Sequence, residues 1–269
     1  FRRQRQMCIR DRVQTTSIKT TGRNMDKRHF LKLAGASFAL APVASMAAIN
    51  QTNATDINGL SGLSDITANA KPITVEERKA RIEKAQSLMK AQDIAAILVE
   101  PGAAMDYFSG IKWWRSERLT ALVIPQKGDM AVVTPFFEKP SVLESLAIGD
   151  DVRVWQEHES PFDVVANILK SRGITSGNIG FESSVRYFVV TGVSRALPNI
   201  NIVPAEPITL GCRMYKTAGE LALMHKANEV TLRAYEFVFS NLKLGMRQQD
   251  VKSLMNTAQQ RLGGSGTWC

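Results

Sequence analysis

Two tryptophans and three cations stand together in the segment Lys112-Trp113-Trp114-Arg115-Ser116-Glu117-Arg118. Tryptophan and arginine are the residue types found most often at binding hot spots, and an arginine can bind a carboxylate through two parallel N–H···O bonds. The segment is therefore a candidate ligand-binding loop, with four candidate contact residues: Trp113, Trp114, Arg115 and Arg118. The alternative is that one tryptophan packs in the core and the arginines pair with Glu117.

The histidines and cysteines give weaker evidence for a catalytic or metal site. His225 and Glu229 stand four residues apart, a spacing that can place two ligands on one helix face, but we expect His225 at the rim or surface of its helix. His158, between two glutamates, is expected in a solvated loop. No Cys-x-x-Cys or Cys/His spacing indicates zinc, and Cys212 is expected to be a small buried residue. We therefore assign no catalytic, cofactor-binding or metal-binding residue in the chain.

The net charge of +9 is concentrated at the N-terminus. Residues 1–48 hold ten Lys or Arg and two acidic residues, whereas residues 49–269 hold 24 basic and 23 acidic ones. The remainder of the chain is therefore close to neutral, which removes the main argument for a nucleic-acid-binding protein. The chain also has no P-loop and no strand followed by Gly-x-Gly-x-x-Gly.

The first 73 residues are interpreted as processing and linker segments. Residues 1–24 lack an initiator Met and include a stretch that resembles a translated adapter sequence, so we expect a non-native or artefact leader. Residues 25–48 run from charged to apolar to small residues, the order of an export signal. Arg28, Phe30, Leu31 and Lys32 resemble a twin-arginine pattern, although Lys27 replaces its first arginine, and a generic secretory signal is the alternative. The apolar run is too short to span a bilayer. Polar residues 49–73 are expected to form a flexible linker.

Residues 74–211 predict an α/β domain. Thr74-x-x-Glu77 forms a capping box before a helix, and the apolar run Ile94–Val99 predicts a strand buried on both faces. A hairpin is expected around residues 125–129. Further strands are expected near residues 152–155, 178–181 and 201–204, with helices near 138–147, 161–172 and 185–197. Alternating strands and helices favour a mixed sheet of about six strands.

From Gly211 the sequence predicts an extended segment that turns into a long helix, capped by Thr217-x-x-Glu220. Its expected apolar stripe consists of Leu221, Met224, Ala227, Thr231, Ala234 and Val238. Because such a helix normally opens a domain of about 100–150 residues, we expect residues 212–269 to be the truncated start of a second domain.

The motif Arg213-x-x-Lys216-Thr217-x-x-Glu220-Leu221 resembles the junction into the catalytic domain of the creatinase/prolidase/aminopeptidase P family, the pita-bread metallopeptidases. The segments Tyr107-Phe108-Ser109-Gly110 and Gly245-Met246-Arg247-x-x-Asp250-Val251 also resemble parts of that family. The resemblance covers about residues 74–269. It implies a creatinase-type, ribonuclease-H-like N-terminal domain, followed by the start of an α+β pita-bread domain.

By the same resemblance, closest to the Xaa-Pro aminopeptidase and dipeptidase branch, the complete protein is expected to be an exported metallo-exopeptidase. It would use two divalent ions (Mn, Co or Zn), none bound by residues of this chain, and the chain by itself would be inactive. Expected partners are a proline-containing peptide and further copies of the chain, as a homodimer or homotetramer, without nucleic acid or stable membrane insertion. Export implies a periplasmic or exported location.

In this family the N-terminal domain can reach a neighbouring subunit's active site and serve oligomerisation and substrate gating. Arg115 or Arg118 would then hold the substrate's carboxylate, and Trp113 or Trp114 would wall the pocket. Two alternatives stay open: a non-catalytic binding or dimerisation module, and a relative with other hydrolase chemistry, such as creatine amidinohydrolysis.

Overall fold

The computed structural model describes residues 59–266, which contain six strands and eight α-helices. The strands are β1 (Ile94–Val99), β2 (Ala121–Pro125), β3 (Ala131–Pro135), β4 (Val152–Trp155), β5 (Gly177–Phe181) and β6 (Ile200–Pro204). The helices are α1 (Val75–Ala91), α2 (Ala103–Ser109), α3 (Lys139–Ser145), α4 (Pro161–Ser171), α5 (Tyr187–Ala196), α6 (Glu206–Arg213), α7 (Ala218–Asn241) and α8 (Gln248–Arg261). Short 3₁₀ turns lie at Leu60–Gly62 and Phe136–Glu138. None of the helices between residues 59 and 266 combines the length and apolar character needed to cross a bilayer.

One mixed sheet organises the first part of the chain, with strand order β4-β3-β2-β1-β5-β6. Strand β1 pairs antiparallel with β2 and parallel with β5, and β2 pairs antiparallel with β3. The outer pairs, β3 with β4 and β5 with β6, are parallel. The predicted α/β class, the six-stranded mixed sheet and the hairpin between β2 and β3 are therefore confirmed.

Helices cover both faces of this sheet. Strand β1 contributes Ala96 and Leu98 to one core, which α4 and α5 complete. Its alternate residues Ile97 and Val99 enter the other core, formed with α1, α2, α3 and α6. Alternate strand residues point to opposite faces, so an unbroken apolar run such as Ile94–Val99 fits only a strand buried on both sides.

The junction differs from the expectation that Gly211 opens an extended segment. Helix α6 runs through Gly211 and Cys212 to Arg213, and residues 214–217 form the short connection to α7, with extended backbone at Thr217. Cys212 is buried in the sheet core, as expected of a small apolar side chain. Burial raises the pKa of its thiol. Position 211 thus lies inside α6, whose Ile208 and Cys212 pack in the sheet core.

The buried face of α7 also differs from the predicted stripe. Its buried residues are Val230, Ala234, Phe237, Val238 and Asn241. Leu221, Met224 and Ala227 are exposed instead. The helix is apolar on two sides, and sequence periodicity could not show which side packs against α8. A third, smaller core forms where α7 and α8 meet.

Part of the predicted flexible linker is packed. Leu60, Leu63 and Ile66 lie against the third core. The backbone N–H of Ile66 donates to the carbonyl of Leu262 over 3.2 Å. Apolar residues spaced by three in a polar stretch were the available signal, and we interpreted them as linker. Residues 1–58 and 267–269, and with them the predicted leader and export signal, lie outside the described residues.

Candidate functional site

The segment of residues 112–118, called here the Trp–Arg loop, leaves the core at Ile111 and re-enters it at Leu119, both of which are buried. It begins after Gly110, whose φ of 86° ends α2. A Cβ at Gly110 would lie 2.6 Å from the Cβ of Ala147. Glycine is therefore required here by the left-handed backbone and by the close approach of Ala147.

A buried ion pair lies beneath this loop. Glu100 directly follows β1 and is fully buried, and its Oε1 accepts hydrogen bonds from Nε and Nη2 of Arg186 at 2.9 and 2.6 Å. Its Oε2 accepts the backbone N–H of Arg186 at 2.8 Å. Arg186 is the N-cap residue of α5, so the carboxylate also lies where the helix dipole favours a negative charge.

The same guanidinium reaches the Trp–Arg loop. Nη1 of Arg186 donates to the carbonyl of Ser116, and Nη2 donates to the carbonyl of Arg118 at 3.1 Å. At the end of the loop, the indole N–H of buried Trp155 donates to the carbonyl of Leu119 at 3.0 Å. Arg186, which precedes α5, thus holds the loop backbone, and Trp155 of β4 holds the residue that follows the loop.

Three of the four predicted contact residues come together. Trp113, Trp114 and Arg115 line a depression of about 760 Å³, together with Pro101, Gly102, Ala103, Asp106 and Lys112. Trp113 packs partly against the core, whereas Trp114 is 79% exposed. The depression therefore presents two indoles beside two cations.

Arg115 keeps donors available. Its Nε donates to the carbonyl of Pro101 at 3.1 Å and its Nη2 donates to Oγ of Ser184 at 2.8 Å. Both acceptors are neutral. Among the ion pairs of residues 59–266, none involves Arg115 or Lys112. An arginine held on one edge in this way can offer Nη1 and the second Nη2 proton to a carboxylate.

Arg118 lies outside the depression. Its Nε contacts Oε1 of Glu157 at 2.7 Å, its Nη1 pairs with Glu117, and its guanidinium lies 5.3 Å from the Phe137 ring centre. The hydrogen bond with Glu157 is the main cause that raises the pKa of Arg118. The alternative in which the arginines pair with Glu117 therefore describes Arg118 but not Arg115.

The two histidines within residues 59–266 lie outside the depression. His225 and His158 are both exposed. The Glu229 carboxylate contacts Lys226 at 2.6 Å and Arg233 at 2.8 Å, and its hydrogen bond with Lys226 is the main cause that lowers its pKa. Among residues 59–266, no group of three or more His, Cys, Asp or Glu side chains is placed to hold a metal ion.

Arg81, which we did not single out from the sequence, joins two of the motifs that carried the resemblance. Its Nη2 contacts Oε1 of Glu220 at 2.8 Å, and its guanidinium lies 4.0 Å from the ring centre of Tyr107. The Tyr107 hydroxyl donates to the carbonyl of Cys212 at 3.1 Å. Burial, followed by the charge of Glu220, raises the pKa of the Tyr107 phenol. The available signal was that Arg81, Ala85 and Met89 share one buried face of α1, where an arginine needs partners.

The fold and the junction define a known class. The family model of the Creatinase/Prolidase N-terminal domain matches residues 81–215, half of the 269-residue chain. The chain therefore belongs to the creatinase/prolidase family, as the motifs of residues 107–110 and 213–221 predicted.

Relatives with similar sequences are named as peptidases. The chain is 25% identical over 195 residues to an uncharacterized peptidase of Schizosaccharomyces pombe, covering 67% of this chain and 42% of that one. It is 27% identical over 160 residues to the "Probable dipeptidase PepE" of Mycobacterium tuberculosis, covering 59% and 42%. The chain thus spans less than half the length of these two curated relatives.

Solved structures agree with the fold. Dipeptidase PepE from Mycobacterium ulcerans is 27% identical with a TM-score of 0.62, covering 70% of this chain and 50% of that one. A prolidase from Thermococcus sibiricus has a TM-score of 0.61 at 19% identity, with the same coverage. The second likeness shows the fold alone.

Proposed function

We propose that the complete protein is a metallo-exopeptidase that hydrolyses Xaa-Pro peptide bonds, and that this chain is its N-terminal part. The observation that carries the proposal is the creatinase/prolidase N-terminal domain, joined through the Arg81–Glu220 ion pair to the first turn of α7. Relatives named as dipeptidases support the peptidase class.

The reaction would depend on two divalent ions, Mn, Co or Zn. Residues 59–266 do not fit such a site, because they contain no group of side chains placed to hold a metal. We therefore propose that the metal ligands lie in other parts of the complete protein. The part described would position the substrate.

In that role Arg115 would bind the carboxylate of the peptide. Its two donor bonds to Pro101 and Ser184 fix the guanidinium, which lowers the entropy lost when a ligand binds. Trp113 and Trp114 would form apolar walls around the proline ring. Arg118 is the weaker candidate for this contact, because Glu117 and Glu157 already neutralise it.

A gating role fits a loop on an N-terminal domain that acts at the active site of another subunit. We therefore also propose a homodimer or homotetramer. Sedimentation of the complete protein tests the oligomeric state. Export to the periplasm is a separate proposal, based on residues 25–48, and cell fractionation tests it independently of activity.

Activity of the complete protein with Mn²⁺ and an Xaa-Pro dipeptide tests the proposal. We expect hydrolysis, and we expect Arg115→Ala to lower kcat/KM about 10- to 100-fold, the loss of a charged hydrogen-bonded contact. Arg118→Ala is the matched control and should change kcat/KM less than about threefold by the same conversion. Unchanged kcat/KM for Arg115→Ala would eliminate the clamp.

Two further outcomes separate the alternatives. Hydrolysis of creatine but no Xaa-Pro peptide would indicate the other hydrolase chemistry, and no hydrolysis of either would favour a binding module. Calorimetry of the 269-residue chain with Mn²⁺ should show no tight binding, and stoichiometric high-affinity binding would contradict our placement of the metal ligands.

A further inference from the structure

The backbone of the Trp–Arg loop depends on side chains for its conformation. Within residues 59–266, the backbone hydrogen bonds outside helices and strands include none from or to residues 112–118. The chain bends at Glu117 and Arg118, and the carbonyls on either side of the bend, those of Ser116 and Arg118, converge on Arg186. One guanidinium therefore holds this part of the loop.

The orientation of Arg186 is itself fixed. Its backbone N–H, Nε and Nη2 all bind one carboxylate, that of Glu100. Because Glu100 is fully buried, water does not compete for these bonds. Two side-chain donors on Oε1 and the backbone N–H on Oε2 fix the guanidinium relative to the carboxylate. With the guanidinium held in this way, Nη1 and Nη2 each direct an N–H group to a loop carbonyl.

We propose that Arg186, oriented by Glu100, is a positioning residue that holds the Trp–Arg loop in the conformation that forms the 112–115 depression. The depression begins where this bracing ends, since Trp113, Trp114 and Arg115 immediately precede Ser116. The bracing stands on geometry alone, whereas its use in peptide binding rests on the proposed function.

A general contribution to stability is the competing explanation. A buried ion pair is weak support for stability, because desolvation can exceed the attraction between the charges. Replacing both partners by apolar residues is often tolerated, whereas removing one leaves a buried charge without its partner. The double variant Glu100→Met/Arg186→Met therefore separates an effect on the loop conformation from an effect on global stability.

Limited trypsin digestion of the 269-residue chain, followed by mass spectrometry, tests the bracing. Cleavage after Arg115 reports how often the loop opens. We expect this cleavage to be at least about tenfold faster in the double variant, with its urea midpoint close to that of the unmodified chain. Arg195→Met, a charge removed from the exposed end of the same helix, is the matched control and should not change the cleavage rate.

Arg186→Lys keeps the charge opposite Glu100. The compact ammonium group of lysine cannot reproduce the planar guanidinium's bonds to the carboxylate and to both loop carbonyls. We expect faster cleavage after Arg115 in this variant as well, which keeps the test valid if the double variant fails to fold. Cleavage at the unmodified rate in either folded variant would overturn the proposal. So would a loss of loop protection that only accompanies an equal loss of global stability.

The functional arm uses the complete protein. Arg186→Lys should raise KM for an Xaa-Pro dipeptide about tenfold while kcat stays within about twofold, because a displaced loop weakens binding without changing the chemistry. A fall in kcat at constant KM would overturn the positioning role. If no Xaa-Pro peptide is hydrolysed by the unmodified protein, the proposed function fails, and the trypsin result still decides whether Arg186 braces the loop.

Discussion

The α/β domain and the helical hairpin of α7 and α8 are built from similar local signals but differ in how completely they are packed. Helix α1 of the domain and helix α7 of the hairpin both begin with a complete capping box, Thr74-x-x-Glu77 and Thr217-x-x-Glu220. Helix α1 then buries one face against the sheet. Helix α7 buries one face against α8 and leaves a second apolar face exposed.

That second face consists of Leu221, Met224, Leu232, Tyr235 and Phe239. All five are exposed and lie on one side of the helix, although Met224 and Leu232 are about eight positions apart. A capping box therefore starts a helix both in the α/β domain and in the helical hairpin. How many faces of that helix are buried depends on the elements that pack around it.

The largest difference between the two regions is expected when one phenylalanine in each is replaced by alanine. Phe108 is fully buried in the sheet core, so Phe108→Ala should lower the free energy of unfolding by about 3–5 kcal/mol. Phe239 is 70% exposed, so Phe239→Ala should stay within about 0.5 kcal/mol. Urea titration followed by circular dichroism measures both. Equal losses would show that the exposed face of α7 is in fact packed in solution.

An intermediate effect is expected where the two regions meet. Arg81 and Glu220 are both largely buried and 2.8 Å apart, so a double-mutant cycle with Arg81→Met and Glu220→Gln should give a coupling energy of about 1–3 kcal/mol. Glutamine keeps an oxygen for the capping box, so the cycle isolates the ion pair. The same cycle on the exposed pair Arg233 and Glu229 is the control, expected below about 0.5 kcal/mol. Equal values in the two cycles would mean that burial adds nothing at the junction.

The smallest effect on stability should come from charges on the exposed face. Leu232→Lys with Phe239→Lys should change the free energy of unfolding by less than about 0.5 kcal/mol but reduce self-association of the chain, measured by light scattering against concentration. Lys252→Leu on α8 is the control: it replaces a charge by an apolar residue on the other helix and should not lower self-association. Unchanged self-association in the double lysine variant would remove the exposed face as its cause.

Most of the α/β domain could be predicted from local patterns. The capping box Thr74-x-x-Glu77, the hairpin near residues 125–129 and the unbroken apolar strand Ile94–Val99 each have one physical explanation, and the structure has the expected element at each place. The hairpin could not be predicted as well, because α7 has apolar residues on two sides and periodicity does not say which side meets α8.

The candidate site was predictable only in part. Trp113, Trp114 and Arg115 were found because their residue types are unusual together, but nothing nearby in the sequence separates Arg115 from Arg118. Glu157, which neutralises Arg118, is 39 positions away. Glu100 and Arg186, the pair beneath the loop, are 86 positions apart, and each by itself is an ordinary charged residue beside a strand or helix end.

By itself, the sequence determined the class of fold, the capped helix starts and the family, because these depend on hydrophobic period, turn residues and short motifs within a few positions of each other. Only the tertiary structure decided which arginine is neutralised, which face of α7 is buried and what holds the Trp–Arg loop. Those outcomes depend on side chains that meet across the sheet, where burial removes the competition of water and makes each partner decisive.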